Sequence, residues 1–141
     1  MEIQTMKGHC LCGQVSVEAH SVNSHTGACH CNICRRWGGG PFMAVDCGTD
    51  VNFTGEDSIS RYASSAWAER GFCANCGTHL FYHLKGKGQY MMPAGLFDAE
   101  SQLVLDHQIF IEEKPAYYDF ANDTHNMTGA EVFASVSSEN E

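Results

Sequence analysis

Short stretches of alternating or continuous apolar residues recur along the chain, and they predict strands rather than helices. Residues 14–19, Gln-Val-Ser-Val-Glu-Ala, alternate polar and apolar side chains, which is the period of a half-buried strand. Together with residues 3–9 they predict two strands joined by a turn at Cys12-Gly13. Strands at short intervals, with few helical patterns, predict an all-β domain. The other predicted strands lie at residues 42–47, 51–55, 58–62, 76–82 and 108–111.

Two segments depart from the strand pattern. Residues 26–40 are predicted to form a loop, because the Gly-Gly-Gly-Pro run at residues 38–41 cannot sustain a helix or a central strand. Residues 122–141 are polar and acidic with one weakly amphipathic patch at Ala130–Val136, so they predict a tail that can include a short helix. The chain is therefore expected to be one domain over residues 1–121, followed by an acidic C-terminal tail.

Composition restricts the class of protein further. The chain has 141 residues, 43% of them hydrophobic, which predicts one globular domain with a modest core. No apolar run approaches the roughly 18 residues that a membrane span needs. The net charge is −9, and from Asp98 onward ten acidic residues face one basic residue, Lys114. Attraction to nucleic acid or to an anionic membrane is therefore not expected, while the sequence is compatible with an oligomer.

Seven of the eight cysteines lie in short-spaced groups, and this grouping is the main chemical feature of the sequence. A C-x-C pair cannot easily close a disulfide on itself. The chain begins Met-Glu-Ile-Gln without a signal segment, so a reducing, cytoplasmic location is expected. Clustered thiolates then favour metal, with zinc preferred and an iron–sulfur cluster as the alternative. The groups are two outer pairs, Cys10/Cys12 and Cys73/Cys76, and a central triplet, Cys29, Cys31 and Cys34.

The seven grouped cysteines divide naturally into a set of four and a set of three. The two outer pairs together supply the four thiolates of a closed structural zinc site. The triplet would then hold a second zinc with one open position, or a closed site completed by a histidine. His30 is the nearest candidate, but a residue between two ligands of an extended C-x-C points away from the metal. The remaining cysteine, Cys47, lies in a predicted strand and is expected to be a core thiol.

Three cysteine motifs in a fixed order resemble a known family. This order resembles the glutathione-dependent formaldehyde-activating (GFA) family, which includes centromere protein V. The segments at residues 93–98 and 108–119 also look like the closing segments of that family, so the resemblance covers residues 8–119. The motifs are C-x-C-G at Cys10–Gly13, C-H-C-x-x-C-R at Cys29–Arg35 and F-C-x-x-C-G-T at Phe72–Thr78.

The resemblance implies a fold, a cofactor and a reaction. The fold is a β-tent, in which folded antiparallel sheets are pinned by zinc. The reaction is that of a carbon–sulfur lyase of the S-hydroxymethylglutathione synthase type, which reversibly adds glutathione to formaldehyde. A small thiol and a small aldehyde are therefore the expected partners. Two zinc ions per chain are implied, a structural one held by Cys10, Cys12, Cys73 and Cys76 and a catalytic one held by Cys29, Cys31 and Cys34.

The residues at the triplet suit this chemistry. A zinc with three thiolate ligands and an open position can take an incoming thiol, which coordination deprotonates into a nucleophile for an aldehyde carbon. Arg35 is expected to bind a carboxylate of the substrate, whereas Arg36 is expected to be a solvated basic residue. The alternative is a non-catalytic zinc-binding module or a glutathione carrier. An open fourth position favours the enzyme, and a site closed by histidine favours the module.

Overall fold

The structure, a computed structural model, describes residues 3–139. Within this part of the chain, strands predominate and there are two α-helices, α1 (Asn32–Gly38) and α2 (Gly129–Glu139). Neither helix of the described residues is long and apolar enough to cross a membrane. The strands are β1 (Ile3–His9), β2 (Ser16–Asn23), β3 (His25–Cys29), β4 (Phe42–Asp46), β5 (Val51–Thr54), β6 (Ile59–Tyr62), β7 (Ala68–Cys73), β8 (His79–Leu84), β9 (Gln89–Pro93), β10 (Val104–Ile109) and β11 (His125–Asn126).

The smaller of two sheets has the strand order β1-β2-β5 and is antiparallel throughout. Its central strand, β2, confirms the strand predicted from the alternating pattern. Val17 and Ala19 are buried, while Ser16 and Glu18, which alternate with them, remain partly exposed. The polar and apolar positions thus separate onto the two faces of the sheet, as a period of two requires.

The larger sheet has the order β11-β10-β3-β4-β9-β8-β7-β6. In the part of the sheet that runs from β3 through β4, β9, β8 and β7 to β6, neighbouring strands are antiparallel. β10 runs parallel to both β3 and β11. The smaller sheet contacts the segment that follows β9, where Asp98 N–H donates to the Lys7 carbonyl at 2.9 Å and Gly8 bridges Phe97. These sheets form the single, sheet-rich β-tent domain that was predicted.

Apolar side chains from both sheets share one core. The ring of Phe81 packs against Phe53 and Tyr90, with centroids 5.4 and 5.2 Å apart. Cys47 is fully buried in this core, as predicted, and burial raises the pKa of its thiol. The core includes Met6, Val15, Val17, Val22, Val45, Leu80, Met92, Leu96 and Phe97.

The prediction of a loop over residues 26–40 is wrong. This segment holds most of β3 and all of α1, which begins immediately after Cys31. The Cys31 sulfur caps the helix by accepting a hydrogen bond from Cys34 N–H at 3.3 Å. The glycines that suggested a loop lie at the other end of the helix, where Gly39 N–H closes the last turn on the Arg35 carbonyl at 2.8 Å. The triplet is therefore held by regular structure.

The predicted tail contains the helix that was expected, and its first part is attached to the sheet. β11 pairs with β10, and Met127 N–H donates to the Gln108 carbonyl at 2.9 Å. The Phe133 ring of α2 packs edge-on against Phe110, with centroids 5.8 Å apart. The carboxylate of Glu112 accepts from Gly129 N–H at the start of the helix. The division of the chain after residue 121 stays a prediction.

Candidate functional site

The two outer cysteine pairs converge on one point although they are far apart in the sequence. Cys10 follows β1 directly, and Cys73 is the last residue of β7. The Sγ of Cys12 lies 3.6 Å from that of Cys10 and 3.7 Å from that of Cys73. All four sulfurs, including that of Cys76, lie within 4.8 Å of one another. These residues form the four-cysteine cluster.

Two tight turns hold the four-cysteine cluster, and they also contact each other. In the first turn Gly13, with φ of 82°, donates its N–H to the Cys10 carbonyl at 3.1 Å, as predicted for a residue with positive φ. In the second turn Thr78 hydroxyl lies 3.2 Å from Cys76 Sγ and accepts from Leu11 N–H at 3.0 Å. The hydrogen bond from Thr78 lowers the pKa of Cys76 to about 5. The turn geometry therefore favours thiolate donors.

The four-cysteine cluster fits a tetrahedral metal. A Zn–S distance of about 2.3 Å sets the sulfur–sulfur edge of a tetrahedron at about 3.8 Å. The measured edges of 3.6 and 3.7 Å lie close to that value. Cys10 and Cys73 are fully buried, so the centre of the cluster is shielded on the side of the core. None of the eight cysteines forms a disulfide.

The triplet gathers three sulfurs from a strand end and a helix start. Cys29 is the last residue of β3, Cys31 caps α1, and Cys34 lies in its first turn. Their Sγ atoms lie within 4.8 Å of one another. Hydrogen bonds from Cys29 and Cys34 lower the pKa of Cys31, and the same contact with Cys31 raises the pKa of Cys29. Binding of a metal at these sulfurs would require their protons to leave.

His30 does not complete the triplet, which agrees with the expectation for a residue between two ligands. Its imidazole is fully buried on the other side of the strand. The Nδ1 atom lies 2.8 Å from Tyr118 hydroxyl, and Nε2 lies 2.7 Å from Gln108 Oε1. Both ring nitrogens are therefore occupied by partners outside the triplet. The imidazole ties the Cys29–Cys31 segment to β10 and to the chain beyond it.

A cleft of about 740 Å³ lies between the two clusters. Cys34 of the triplet and Cys10 of the four-cysteine cluster both line it. Trp37 of α1 forms part of its wall and stacks on His79 with centroids 4.6 Å apart. Within a mainly apolar cleft, the thiol of Cys34 is the sulfur of the triplet that a bound small molecule can approach. The cleft is also lined by Phe42, Arg70, Tyr82, Pro93 and Phe97.

Arg70 is a residue of the site whose contact with the triplet was not predicted from the sequence. It lies in β7, is only 4% exposed, and its Nη2 donates toward Cys34 Sγ at 3.6 Å. The available signal was its place in the strand, since a charged side chain three residues before Cys73 is unusual in a strand with buried neighbours. The distance along the chain between Arg70 and Cys34 hid the contact.

Arg35, which was expected to bind substrate, has a different local role in the structure. Its Nε donates to the His30 carbonyl at 2.9 Å, across the turn that carries the triplet. The residues that line the cleft do not include Arg35. Its role in binding a carboxylate stays a prediction. Arg36 is exposed, as a solvated basic residue should be.

The comparisons with known proteins identify the family. The model of the family described as glutathione-dependent formaldehyde-activating enzyme matches residues 5–113. The chain therefore belongs to this family, as the order of the cysteine motifs indicated. The match includes both groups of cysteines and Arg70.

One relative and one solved structure are similar to the chain over most of its length. A Schizosaccharomyces pombe protein described as an uncharacterised lyase is 39% identical over 131 residues, which cover 92% of this chain and 96% of the relative. The crystal structure of a Rhodobacter sphaeroides protein from structural genomics superposes with a TM-score of 0.57 and 25% identity, over 66% of this chain and 88% of that one. The latter similarity supports the fold.

Proposed function

We propose that the chain is a zinc-dependent carbon–sulfur lyase that forms and cleaves the adduct of a small thiol with a small aldehyde. Glutathione is the proposed thiol, and formaldehyde is the proposed aldehyde. The observation that carries the proposal is the convergence of three cysteine sulfurs beside a cleft that one of them, Cys34, lines. Membership in the glutathione-dependent formaldehyde-activating family and the description of the fungal relative as a lyase support it.

The two clusters suit two zinc ions with different roles. The four-cysteine cluster joins the end of β1 to the turn after β7 with a complete set of four donors, which is the composition of a structural site. The triplet offers only three donors, and His30 is engaged elsewhere. Cys29, Cys31 and Cys34 therefore suit a zinc with a position left for substrate.

The proposed reaction joins the sulfur of the thiol to the carbon of the aldehyde. When bound at the triplet, zinc would supply a thiolate at neutral pH by lowering the pKa of the incoming thiol. Cys34 lines the cleft together with Trp37 and Tyr82, so the reacting sulfur would lie at this wall of the cleft. As the carbon–sulfur bond forms, the carbonyl electron pair moves to oxygen, which takes a proton from water. The reverse steps release the aldehyde.

The proposed chemistry requires reduced sulfur in both clusters. Thiolates, and not disulfides, are the ligands of zinc. All eight cysteines are free in the structure. We infer that the protein works in a reducing compartment such as the cytoplasm.

Calorimetry with reduced glutathione and with S-methyl glutathione tests the proposal. The zinc-loaded protein should bind the reduced form, with an affinity that rises as the pH approaches the thiol pKa of about 8.5, because the proton must leave. S-methyl glutathione has no free thiol and should bind much more weakly. Cys34→Ser should lose the preference, whereas Cys47→Ser, a matched change of a buried thiol outside both clusters, should keep it.

An exchange assay then separates the enzyme from a carrier. Nuclear magnetic resonance can follow the exchange of formaldehyde between free glutathione and its adduct, with and without protein. The enzyme should accelerate the exchange at substoichiometric concentration. Equal binding of the S-methyl and reduced forms would contradict sulfur coordination. Binding through sulfur with an unchanged exchange rate would replace the enzyme by a glutathione carrier.

A further inference from the structure

The guanidinium of Arg70 is a buried positive charge without a carboxylate partner among the described residues. Arg70 is 4% exposed and lines the cleft. Its hydrogen bonds run from Nε to Ser64 hydroxyl at 3.3 Å and from Nη2 to Cys34 Sγ at 3.6 Å. A buried charge is costly unless a counter-charge or a full set of hydrogen bonds compensates it. The buried charge of Arg70 therefore favours the binding of an anion in the cleft.

Two cations that do have carboxylate partners show how unusual the burial of Arg70 without one is. Arg61 donates to Glu69 at 2.8 Å, and Lys114 contacts Asp119 at 2.6 Å. Both pairs lie nearer to the solvent than Arg70 does, where pairing matters least. The more deeply buried cation is thus the one whose only anionic neighbour in the described chain is a cysteine sulfur.

Aromatic rings hold the guanidinium in place before any ligand arrives. The Arg70 guanidinium carbon lies 4.9 Å from the centre of the Tyr82 ring and 5.9 Å from that of Trp37. Both rings line the same cleft. Cation–π contacts of this kind orient an arginine while leaving N–H groups free to donate at its edge. A preorganised donor in an apolar cleft stabilises negative charge more strongly than one in water.

We propose that Arg70 is the oxyanion-binding residue of the cleft, and that it accepts the oxygen of the aldehyde as that oxygen becomes negatively charged. This inference rests on the proposed function. The thiol first loses its S–H proton to water, its sulfur then donates an electron pair to the carbonyl carbon to form the carbon–sulfur bond, and the carbonyl π pair becomes a charge on oxygen. An N–H of Arg70 donates to that oxygen. Since arginine does not give up its proton at neutral pH, water supplies the proton of the final hydroxyl.

The position of Arg70 favours the aldehyde oxygen over a carboxylate of glutathione. Its Nη2 contacts Cys34 Sγ, so an anion that Arg70 meets lies beside the sulfurs of the triplet. Each carboxylate of glutathione is separated from its thiol by several bonds. The oxygen formed in the reaction is attached to the carbon that bonds to sulfur. It is therefore the anion nearest to the reacting atoms.

The kinetic test compares Arg70→Gln with Arg61→Gln in the zinc-loaded protein. Arg70→Gln should lower kcat for adduct exchange by about 10²–10³-fold, the loss typical of one oxyanion donor. Its affinity for reduced glutathione and its zinc content should stay unchanged. Arg61→Gln removes a more exposed arginine of the neighbouring strand and should leave exchange unchanged. A large loss of glutathione affinity in Arg70→Gln would overturn the proposal, because Arg70 would then bind the thiolate of glutathione and not the aldehyde oxygen.

A binding test needs no turnover. Formate has the size of formaldehyde and carries a negative oxygen, so it should bind the zinc-loaded wild type and be lost in Arg70→Gln. Formate that binds both proteins equally, or neither, would overturn the proposal. Arg70→Lys keeps the charge and covers the case in which Arg70→Gln unfolds: it should retain formate binding with reduced exchange. If the wild type binds formate through Arg70 but does not accelerate exchange, the anion site stands and the lyase function fails.

Discussion

Replacing Cys73 by serine is the most direct test of the four-cysteine cluster. Cys73 is fully buried, and its Sγ lies 3.7 Å from that of Cys12, which precedes it by 61 residues. A metal that joins these sulfurs closes a long loop. The entropy that the unfolded state thereby loses stabilises the fold by about 4 kcal/mol. Within the triplet, Cys29 and Cys34 are only about five residues apart, and closing that segment contributes about 2 kcal/mol.

We expect each substitution to release the metal of its cluster, so that Cys73→Ser lowers the free energy of unfolding by about 4 kcal/mol and Cys34→Ser by about 2 kcal/mol or less. Both losses are measured relative to Cys47→Ser, which replaces an equally buried thiol outside the clusters. Zinc also binds the cysteines of the unfolded chain, which cancels part of its stabilisation of the fold. These figures therefore count only the loop-closure part of the stabilisation. Because domains are stable by only about 5–15 kcal/mol, the larger loss leaves little stability.

Urea unfolding followed by circular dichroism measures the three variants, with reductant and two equivalents of zinc per chain present. In melting temperature, the difference between Cys73→Ser and Cys34→Ser should be about 6 °C for a domain of this size. A chelator removes the metal of both clusters, so it should bring the wild type to the level of Cys73→Ser or up to about 2 kcal/mol below it, and leave the deficit of Cys47→Ser unchanged. Equal destabilisation by Cys34→Ser and Cys73→Ser would show that the triplet is structural too. A Cys73→Ser variant that is as stable as the Cys47→Ser variant would refute the cross-link between the two cysteine pairs.

Two further predictions concern the metal and a turn. Elemental analysis of gently purified protein should find about two zinc ions per chain, with the triplet losing its metal first on mild chelation, and a stoichiometric iron content would contradict zinc. Gly55→Ala should cost about 2–4 kcal/mol, because φ is 84° and the new Cβ would lie 1.9 Å from the Gln14 carbonyl oxygen. Gly13→Ala has a similar φ of 82° but open space around it, and urea unfolding should show a loss of only about 1–2 kcal/mol.

Local patterns allowed strands and the two cysteine clusters to be predicted. The alternation over residues 14–19 specifies β2, because a period of two requires no knowledge of the partner strands. The cysteine spacings likewise report turns of a few residues, which depend little on the rest of the fold. The loop predicted over residues 26–40 failed for a physical reason. A cysteine served as the helix cap, where Ser, Thr, Asp and Asn are the usual signals.

Features that depend on distant pairing could not be predicted from the sequence. β3 pairs in parallel with β10, some eighty positions later, and no turn signal marks such a partner. The contact of Arg70 with Cys34 joins β7 to α1 in the same way. Arg35, next to the triplet in sequence, looked like the arginine of the site. The structure brings the more distant Arg70 into the cleft and directs Arg35 Nε toward a backbone carbonyl, and binding of a carboxylate by Arg35 stays a prediction.

The position of Arg70 gives the four-cysteine cluster a role beyond stability. Arg70 and Cys73 lie on the same strand, β7, and Cys73 anchors the end of that strand to the turn after β1. Cys34 approaches the guanidinium from α1, an element that the four-cysteine cluster does not include. The distance between Arg70 and the triplet therefore depends on where the cluster holds β7. Under the proposed function the donors must lie within fractions of an ångström of the reacting atoms, so a metal at the four-cysteine cluster would also affect how well the cleft is preorganised.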